Sequence, residues 1–293
     1  MMSAFAFYGL IVAATLLVWW FSTGLIVYLD GLPKGTFRWS FGVTSGLAMA
    51  ALFGLSSSSA ETTVSSAALA FFCAILVWGW NEMAFLMGYI TGPRPEACPP
   101  GAVGVSRFRY ATMALLYHEV ALVVSLGLIA ALTIGQPNQF GLWTFALLWV
   151  MRLSSKFNLF LGVPNRTEEF LPEGLSFLKS YFRNAAMNPL LPIAITVATV
   201  CCVLLVQRAV NAEVGGFDAV GYTLLSALLA LAIIEHWLMV VPIPAALLWG
   251  WGLKSHEAAA KHRVTEPHSE SGANTISPKS HFADARKQSP VLT

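Results

Sequence analysis

Charged residues are scarce in this chain. Asp, Glu, Lys and Arg make up 11% of its 293 residues, whereas a soluble domain usually has about 25%. Hydrophobic residues make up 56%, which leaves too few polar side chains to cover a water-facing surface. The net charge of +2 comes without a cluster of Lys and Arg on a soluble face, so we expect no nucleic-acid partner. The composition predicts that most of the chain lies in a lipid bilayer.

Familiar site motifs are also missing. The four cysteines form neither a disulfide framework nor a zinc site, and the adjacent Cys201 and Cys202 would point about 100° apart on a helix. Walker, Rossmann and HExxH motifs are absent, as is any internal repeat. The N-terminus lacks the basic region and cleavage site of a signal peptide, which predicts that its apolar run is a retained membrane span.

Seven apolar runs are present, and a span needs about 20 residues. They cover roughly 4–28, 39–55, 64–90, 111–134, 140–161, 189–206 and 220–241. Lys and Arg concentrate in the first, third and fifth connections and in the tail, which the positive-inside rule places in the cytoplasm. The sequence predicts an all-α, polytopic membrane helix bundle of about seven transmembrane helices. Its N-terminus would be periplasmic and its C-terminus cytoplasmic.

Two segments differ from the spans. Within 163–188, apolar residues recur at roughly helical spacing from Phe170 to Arg183, which predicts an amphipathic helix. That helix would lie at the cytoplasmic interface, pack on the bundle, or do both. Residues 1–252 are predicted to form the membrane domain. The remainder, 253–293, is rich in Ser, Lys, His and Pro and is predicted to be a disordered cytoplasmic tail.

Polar residues inside the spans are the most informative feature. Glu82 lies eight residues before the end of the third run, about 12 Å below the cytoplasmic surface. Residues on three other spans fall at similar depths. An unpaired charge at the bilayer centre costs at least ~3 kcal/mol, so these groups should share one interior cluster. The expected members are Glu82, His118, Glu119, Arg152, Lys156, Asn158, Glu235 and His236.

Three interpretations of this cluster remain open. It is a set of buried pairs that fixes helix register, a pigment, haem or metal site, or a path for protons or solutes. Under the second interpretation the binding candidates are the histidines and carboxylates, and the remaining polar residues balance charge. The candidate binding residues are His118, His236, Glu82, Glu119 and Glu235, and the structural or charge-balancing ones are Arg152, Lys156, Asn158 and Asn81.

The spacing of these residues favours axial ligation over a di-iron centre. Carboxylate-bridged di-iron sites use Glu and His three residues apart on one helix. Here His118 and Glu119 are adjacent, as are Glu235 and His236. Neighbouring side chains diverge by about 100° on a helix, so both cannot easily face one metal. The spacing identifies no catalytic residue and no particular metal.

Eight segments resemble a known family. They read VWWFSTGLIVYLDGLP, LVWGWNEMAFLMGYITGPR, LYHEVAL, PNQFGLWTF, WVMRLSSKFNLFLGVPN, EEFLP, LKSYF and EHWLMVVP. These segments are similar to those of the photosynthetic complex assembly protein family often called PuhE. The resemblance covers roughly residues 8–252 and leaves out the tail.

The resemblance implies a multi-pass protein of the inner membrane of a purple-bacterial type of phototroph. It implies a role in assembling the reaction centre with its light-harvesting partners, with these subunits and the bilayer as partners. Bacteriochlorophyll or another tetrapyrrole is the cofactor class that fits such a role. We expect a non-enzymatic factor. The alternative is a membrane-embedded, metal-dependent oxidoreductase of pigment biosynthesis, and a transporter is less favoured because no inverted repeat is present.

Overall fold

The computed structural model describes residues 3–166, 168–243 and 245–265. Helices account for all regular structure in these ranges, which confirms the predicted all-α class. The α-helices are α1 (Ala4–Asp30), α2 (Lys34–Ser59), α3 (Val64–Leu86), α4 (Gly104–Thr133), α5 (Phe140–Leu161), α6 (Leu190–Asn211), α7 (Phe217–Leu238) and α8 (Gly250–Thr265). Three 3₁₀ helices add Glu168–Phe170, Glu173–Tyr181 and Ala245–Trp249.

Six of these helices, α1 to α4 with α6 and α7, are long and apolar enough to cross a membrane. The protein is therefore a membrane helix bundle. The second predicted span is short and rich in Gly and Ala. In the structure it lies within a helix of 26 residues, since α2 extends beyond the apolar run at both ends. The seventh span and the orientation of the termini stay predictions.

Helix α3 lies at the centre of the bundle and contacts α1, α2, α4, α5 and α7. Twelve of its 23 residues are buried, because small and aromatic side chains alternate around it. One buried cluster joins Ala74 and Val77 of α3 to Leu122 of α4 and Phe145 of α5. A second cluster joins the beginning of α3 to α7. This central helix carries Glu82 and Asn81 into the interior.

Glycine at position 141 lets α5 approach α3 closely. A Cβ at Gly141 would lie 2.3 Å from Leu55 Cδ2 and 3.1 Å from the Ala70 carbonyl oxygen. Further along α5, Arg152 donates to Glu82 of α3 and Lys156 donates to Glu119 of α4, so α5 stays beside its neighbouring helices along most of its length. At ~1.5 Å per residue, the 22 residues of α5 are as long as the neighbouring spans.

The segment between α5 and α6 differs from its prediction. Instead of one amphipathic α-helix, it forms the 3₁₀ helices Glu168–Phe170 and Glu173–Tyr181, since Pro172 interrupts an α-helix at that point. The apolar side chains point inward: Leu175, Leu178 and Tyr181 are buried against Phe85 of α3. The segment therefore packs on the bundle, as one of the two interpretations expected. The sequence also predicts a helix N-cap at Thr167, which precedes acidic residues, and this residue lies outside the described residues.

The predicted boundary of the tail at 253 falls inside α8, so residues 253–265 are helical. The segment 248–256 docks on α1. Trp20 Nε1 donates to the Leu248 carbonyl at 2.7 Å, and His256 Nε2 lies 2.6 Å from Asp30 Oδ1. Residues 266–293 lie outside the described residues, and their disorder stays a prediction.

Candidate functional site

Four helices bring the predicted polar residues together at one end of the bundle. Arg152 Nη2 donates to Glu82 Oε2 at 3.2 Å, which links α5 to α3. One turn further along α5, Lys156 Nζ donates to Glu119 Oε1 of α4 at 2.5 Å. Helix α7 joins through its last two turns. We call the group of Glu82, His118, Glu119, Arg152, Lys156, Glu235 and His236 the polar cluster.

His118 is the least satisfied member of the polar cluster. Its side chain is 1% exposed, and neither ring nitrogen has a hydrogen-bond partner. The nearest acceptor to Nε2 is Glu82 Oε1 at 3.9 Å, which is beyond hydrogen-bonding distance, and that oxygen is unpartnered as well. Phe85 stacks on the imidazole with 4.4 Å between ring centroids. Burying such groups without partners is costly, so they are candidates for a bound ligand.

His236 has the opposite character, although it is equally buried. Its Nδ1 lies 2.8 Å from the Ala232 carbonyl oxygen, and its Nε2 lies 3.0 Å from Ser154 Oγ. Since a carbonyl only accepts, the neutral ring carries its proton on Nδ1 and accepts the Ser154 hydroxyl at Nε2. Both nitrogens are thus engaged. The structure places His236 in a structural contact between α7 and α5.

The polar cluster is accessible at Glu235 and Arg152. Glu235 is exposed and accepts a hydrogen bond of 2.9 Å from Trp19 Nε1 of α1. The Arg152 side chain is 43% exposed and also interacts electrostatically with Glu235. Charged side chains in membrane helices almost always face the bundle interior or a water-filled cavity. These two residues therefore form the water-facing edge of the cluster, here called the wet edge. His118, in contrast, is buried in its interior.

The two asparagines predicted to be structural donate hydrogen bonds within their own helix, and Asn81 also donates to a neighbouring helix. Asn81 donates to the Val77 carbonyl at 2.9 Å and to Ser125 Oγ of α4 at 3.0 Å. Asn158 donates to the Ser154 carbonyl at 2.9 Å, and its side-chain oxygen is buried without a partner. Asn81 thus joins α3 to α4 beside the polar cluster.

Several partners of the cluster were not identified from the sequence. They are Trp19, Phe85, Trp149 and Ser154. Each belongs to a residue type that is common on apolar helices, so composition gives no reason to select it. Trp149 lies three residues before Arg152, on the polar face of α5. This position on the polar face is the signal in the sequence that favours its hydrogen bond with Glu119.

A family model described as "Protein of unknown function (DUF3623)" matches residues 5–260 of the chain. The chain belongs to this family. Relatives include a Rhodobacter capsulatus protein described as "Uncharacterized 30.4 kDa protein in puhA 5'region". The two chains are 42% identical over 262 residues, which cover 88% of this chain and 95% of the relative. No solved structure matches.

The residues that match the DUF3623 model include every member of the polar cluster. The side chains of the cluster limit which cofactor it could hold. Within the described ranges, no three His, Cys, Asp or Glu side chains are grouped to hold a metal ion. A tetrapyrrole brings four ring nitrogens to its metal and needs one axial donor from the protein. His118 provides such a donor, because its ring nitrogens are unpartnered. The donor fits, and because His118 is 1% exposed, a ligand can reach it only if neighbouring side chains move.

Proposed function

We propose that this protein is an integral membrane factor that helps assemble the bacterial photosynthetic complex, the reaction centre with its light-harvesting partners. Two observations support the proposal. The chain carries the PuhE-like segments, and a relative covering nearly its whole length is encoded in the 5' region of puhA. The inner membrane is the expected location, since the described bundle has six helices able to cross a bilayer.

The finer part of the proposal is that His118 holds the metal of a bacteriochlorophyll or related tetrapyrrole. The observation that carries it is the pair of unpartnered nitrogens on a histidine that is 1% exposed, within a cluster whose carboxylates each accept at least one hydrogen bond. A bound tetrapyrrole would supply the Lewis-acidic metal that takes an imidazole ligand. The chain supplies the donor and a dry aromatic wall at Phe85.

The neighbouring ions orient His118. Glu82 is held by Arg152 at 3.2 Å, which leaves its other oxygen 3.9 Å from His118 Nε2. A small closure would let that carboxylate accept a hydrogen bond from one ring nitrogen while the other binds a metal. Carboxylate partners of this kind fix the tautomer of metal-binding histidines. Glu82 is thus a positioning residue, and Arg152 positions Glu82.

The test compares two equally buried histidines. Wild-type protein, His118→Ala and His236→Ala are purified from a pigmented phototrophic host, and their absorption spectra are recorded per mole of protein. We expect wild type and His236→Ala to carry tetrapyrrole, whereas His118→Ala loses at least tenfold. Membranes of the His118→Ala strain should show weaker reaction-centre and antenna absorption. A wild type without pigment, with normal complexes in His118→Ala, would refute pigment handling here.

A deletion strain separates assembly from catalysis. An assembly factor predicts a general loss of complexes while pigment intermediates stay at ordinary levels. Accumulation of one specific precursor would instead indicate an oxidoreductase of pigment biosynthesis and contradict the proposal. The measurement is chromatography of extracted pigments beside absorption of the membranes.

A further inference from the structure

The 3₁₀ helix Glu173–Tyr181, here called the strap, lies behind the residue that covers His118. Phe85 stacks on the imidazole and belongs to the same buried cluster as Leu175, Leu178 and Tyr181 of the strap. The other close neighbours of His118, such as Glu82 and Lys156, sit on helices of 22 residues or more. The strap is therefore the part of this wall that can move without displacing a membrane helix.

The base of the loop that carries the strap is closed by the backbone. Val163 N donates to the Arg183 carbonyl at 3.2 Å, and Arg183 N donates to the Leu159 carbonyl at 3.1 Å. Loops whose ends are held together in this way pack as compact units on a surface. The fixed base lets the strap swing while the end of α5 stays in place.

A few polar contacts fasten the C-terminal end of the strap, next to the closed base, to the connection between α3 and α4. The Tyr181 hydroxyl donates to the Glu96 carbonyl at 3.0 Å and accepts from Arg94 Nη1 at 3.0 Å. Burial raises the pKa of Tyr181, so the hydroxyl keeps its proton for this bond. Ser180 Oγ accepts from Cys98 N at 2.8 Å. These bonds are broken as a group when the strap leaves the bundle.

The strap also has a conformation that local bonds support weakly. It is a 3₁₀ helix of nine residues, whereas 3₁₀ runs longer than about four residues are uncommon because their hydrogen-bond geometry is poor. Its outer side chains, Ser176 and Lys179, are exposed. The docked form therefore depends on Leu175, Leu178 and the Tyr181 contacts, all of which belong to one surface.

We infer that the strap is a lid that leaves the bundle to release Phe85 and admit a ligand to His118. The identity of that ligand as a tetrapyrrole rests on the proposed function, and the movement of the lid does not. Entry would take place from the side of the strap. The wet edge at Arg152 and Glu235 would serve as the outlet for displaced water.

A native cysteine allows the lid to be locked. Ser180→Cys places a thiol beside Cys98, and oxidation can join the two across the contact seen at 2.8 Å. Cys201 and Cys202 are replaced by Ala in every protein. His118→Cys then reports access through its rate of labelling by a small maleimide after the lock has formed. Ser176→Cys, on the exposed side of the strap, is the matched control for oxidation.

Locking should slow the labelling of His118→Cys at least tenfold, and a reductant should restore it. The Ser176→Cys control should show no change on oxidation. Equal labelling of locked and reduced protein would overturn the lid. A second measurement uses His118 intact and follows binding of magnesium protoporphyrin IX. If labelling depends on the lock but no porphyrin binds, the lid stands and the proposed ligand class fails.

Tyr181→Phe provides the opposite perturbation without changing the apolar packing. Removing both hydroxyl bonds should raise the open fraction, and hence the rate of labelling, about thirtyfold, since each hydrogen bond contributes about 1 kcal/mol. Ser176→Ala, which leaves the polar contacts of the strap intact, should leave the rate unchanged. A slower rate in Tyr181→Phe than in wild type would contradict a lid held by this residue.

Discussion

At the scale of residues, burial decides the value of each ion pair in the polar cluster. Lys156 and Glu119 are 16% and 23% exposed, and in the other pair Arg152 is 43% exposed while Glu82 is only 9% exposed. Removing one partner of a buried pair leaves an uncompensated charge, while an exposed charge is solvated by water. The two cations share one helix, α5, and the loss of either leaves a largely buried carboxylate behind.

We predict that Lys156→Met lowers the free energy of unfolding by about 2 to 4 kcal/mol, since Glu119 keeps only the Trp149 indole as a partner. Arg152→Met should cost at least as much, because it leaves the carboxylate of Glu82, which is 9% exposed, without its cation. Unfolding by SDS in mixed micelles measures both. The double variant Lys156→Met/Glu119→Gln should recover most of the loss, and failure to recover would mean that Lys156 acts through packing alone.

Residue chemistry also separates the two histidines. Both lie near the same depth and both are buried, so sequence reasoning had to treat them alike. The difference comes from Ser154, which reaches His236 across 82 positions of sequence, while no described side chain reaches His118 within hydrogen-bonding distance. Only a three-dimensional arrangement can distinguish a satisfied histidine from an available one.

At the scale of elements, α8 docks along α1 through close contacts. A Cβ at Gly24 would lie 2.1 Å from Trp251 Cζ2, so the glycine makes room for the indole. Trp249 Nε1 donates to the Trp20 carbonyl at 3.0 Å. Beyond these, His256 contacts the buried Asp30 at the end of α1. The docking combines aromatic packing with one titratable pair.

The docking of α8 should weaken as the pH rises. The hydrogen bond with the Asp30 carboxylate raises the pKa of His256 above its ordinary value. The contribution of this pair is therefore complete below the unfolded pKa, about 6.5, and is lost as the pH passes the folded pKa. Limited proteolysis of residues 250–265 between about pH 5 and pH 9 measures it, and cleavage should increase with pH.

Two variants check this dependence. His256→Gln should be cleaved at a rate that does not follow the pH beyond the profile of the protease on an unfolded peptide. Gly24→Ala should expose the segment at every pH because it displaces Trp251, while Gly9→Ala, which has open space around it, should behave as wild type. A wild type whose cleavage falls as the pH rises would contradict the assigned sign.

At the scale of the whole molecule, α5 decides the topology. Its two charged residues, Arg152 and Lys156, reduce its hydropathy, yet it follows the central helix α3 from Gly141 to the polar cluster. A helix that runs beside a membrane span along its length should itself cross. Seven spans would place the N-terminus and the tail on opposite sides, as the loop charges predict.

We predict that Gln136→Cys reacts with an impermeant maleimide in spheroplasts, whereas Arg166→Cys reacts only after permeabilisation. The reason is that positions 136 and 166 flank α5, and the positive-inside rule places the second in the cytoplasm. Glu61→Cys and Lys34→Cys serve as the outer and inner references. Labelling of positions 136 and 166 from one side would exclude α5 as a span.

The amino-acid sequence by itself determined the membrane solvent, the helices and the layer of polar residues. It could do so because the length of an apolar run, and the position of a charged residue within that run, can be read from consecutive residues. Only the tertiary structure decided which pairs form, which histidine lacks a partner, how the strap packs and where α8 docks. Those outcomes depend on side chains brought together from distant parts of the chain, such as Trp19 with Glu235 and Asp30 with His256. The sequence pattern of one helix does not specify which side chains of another helix it will contact.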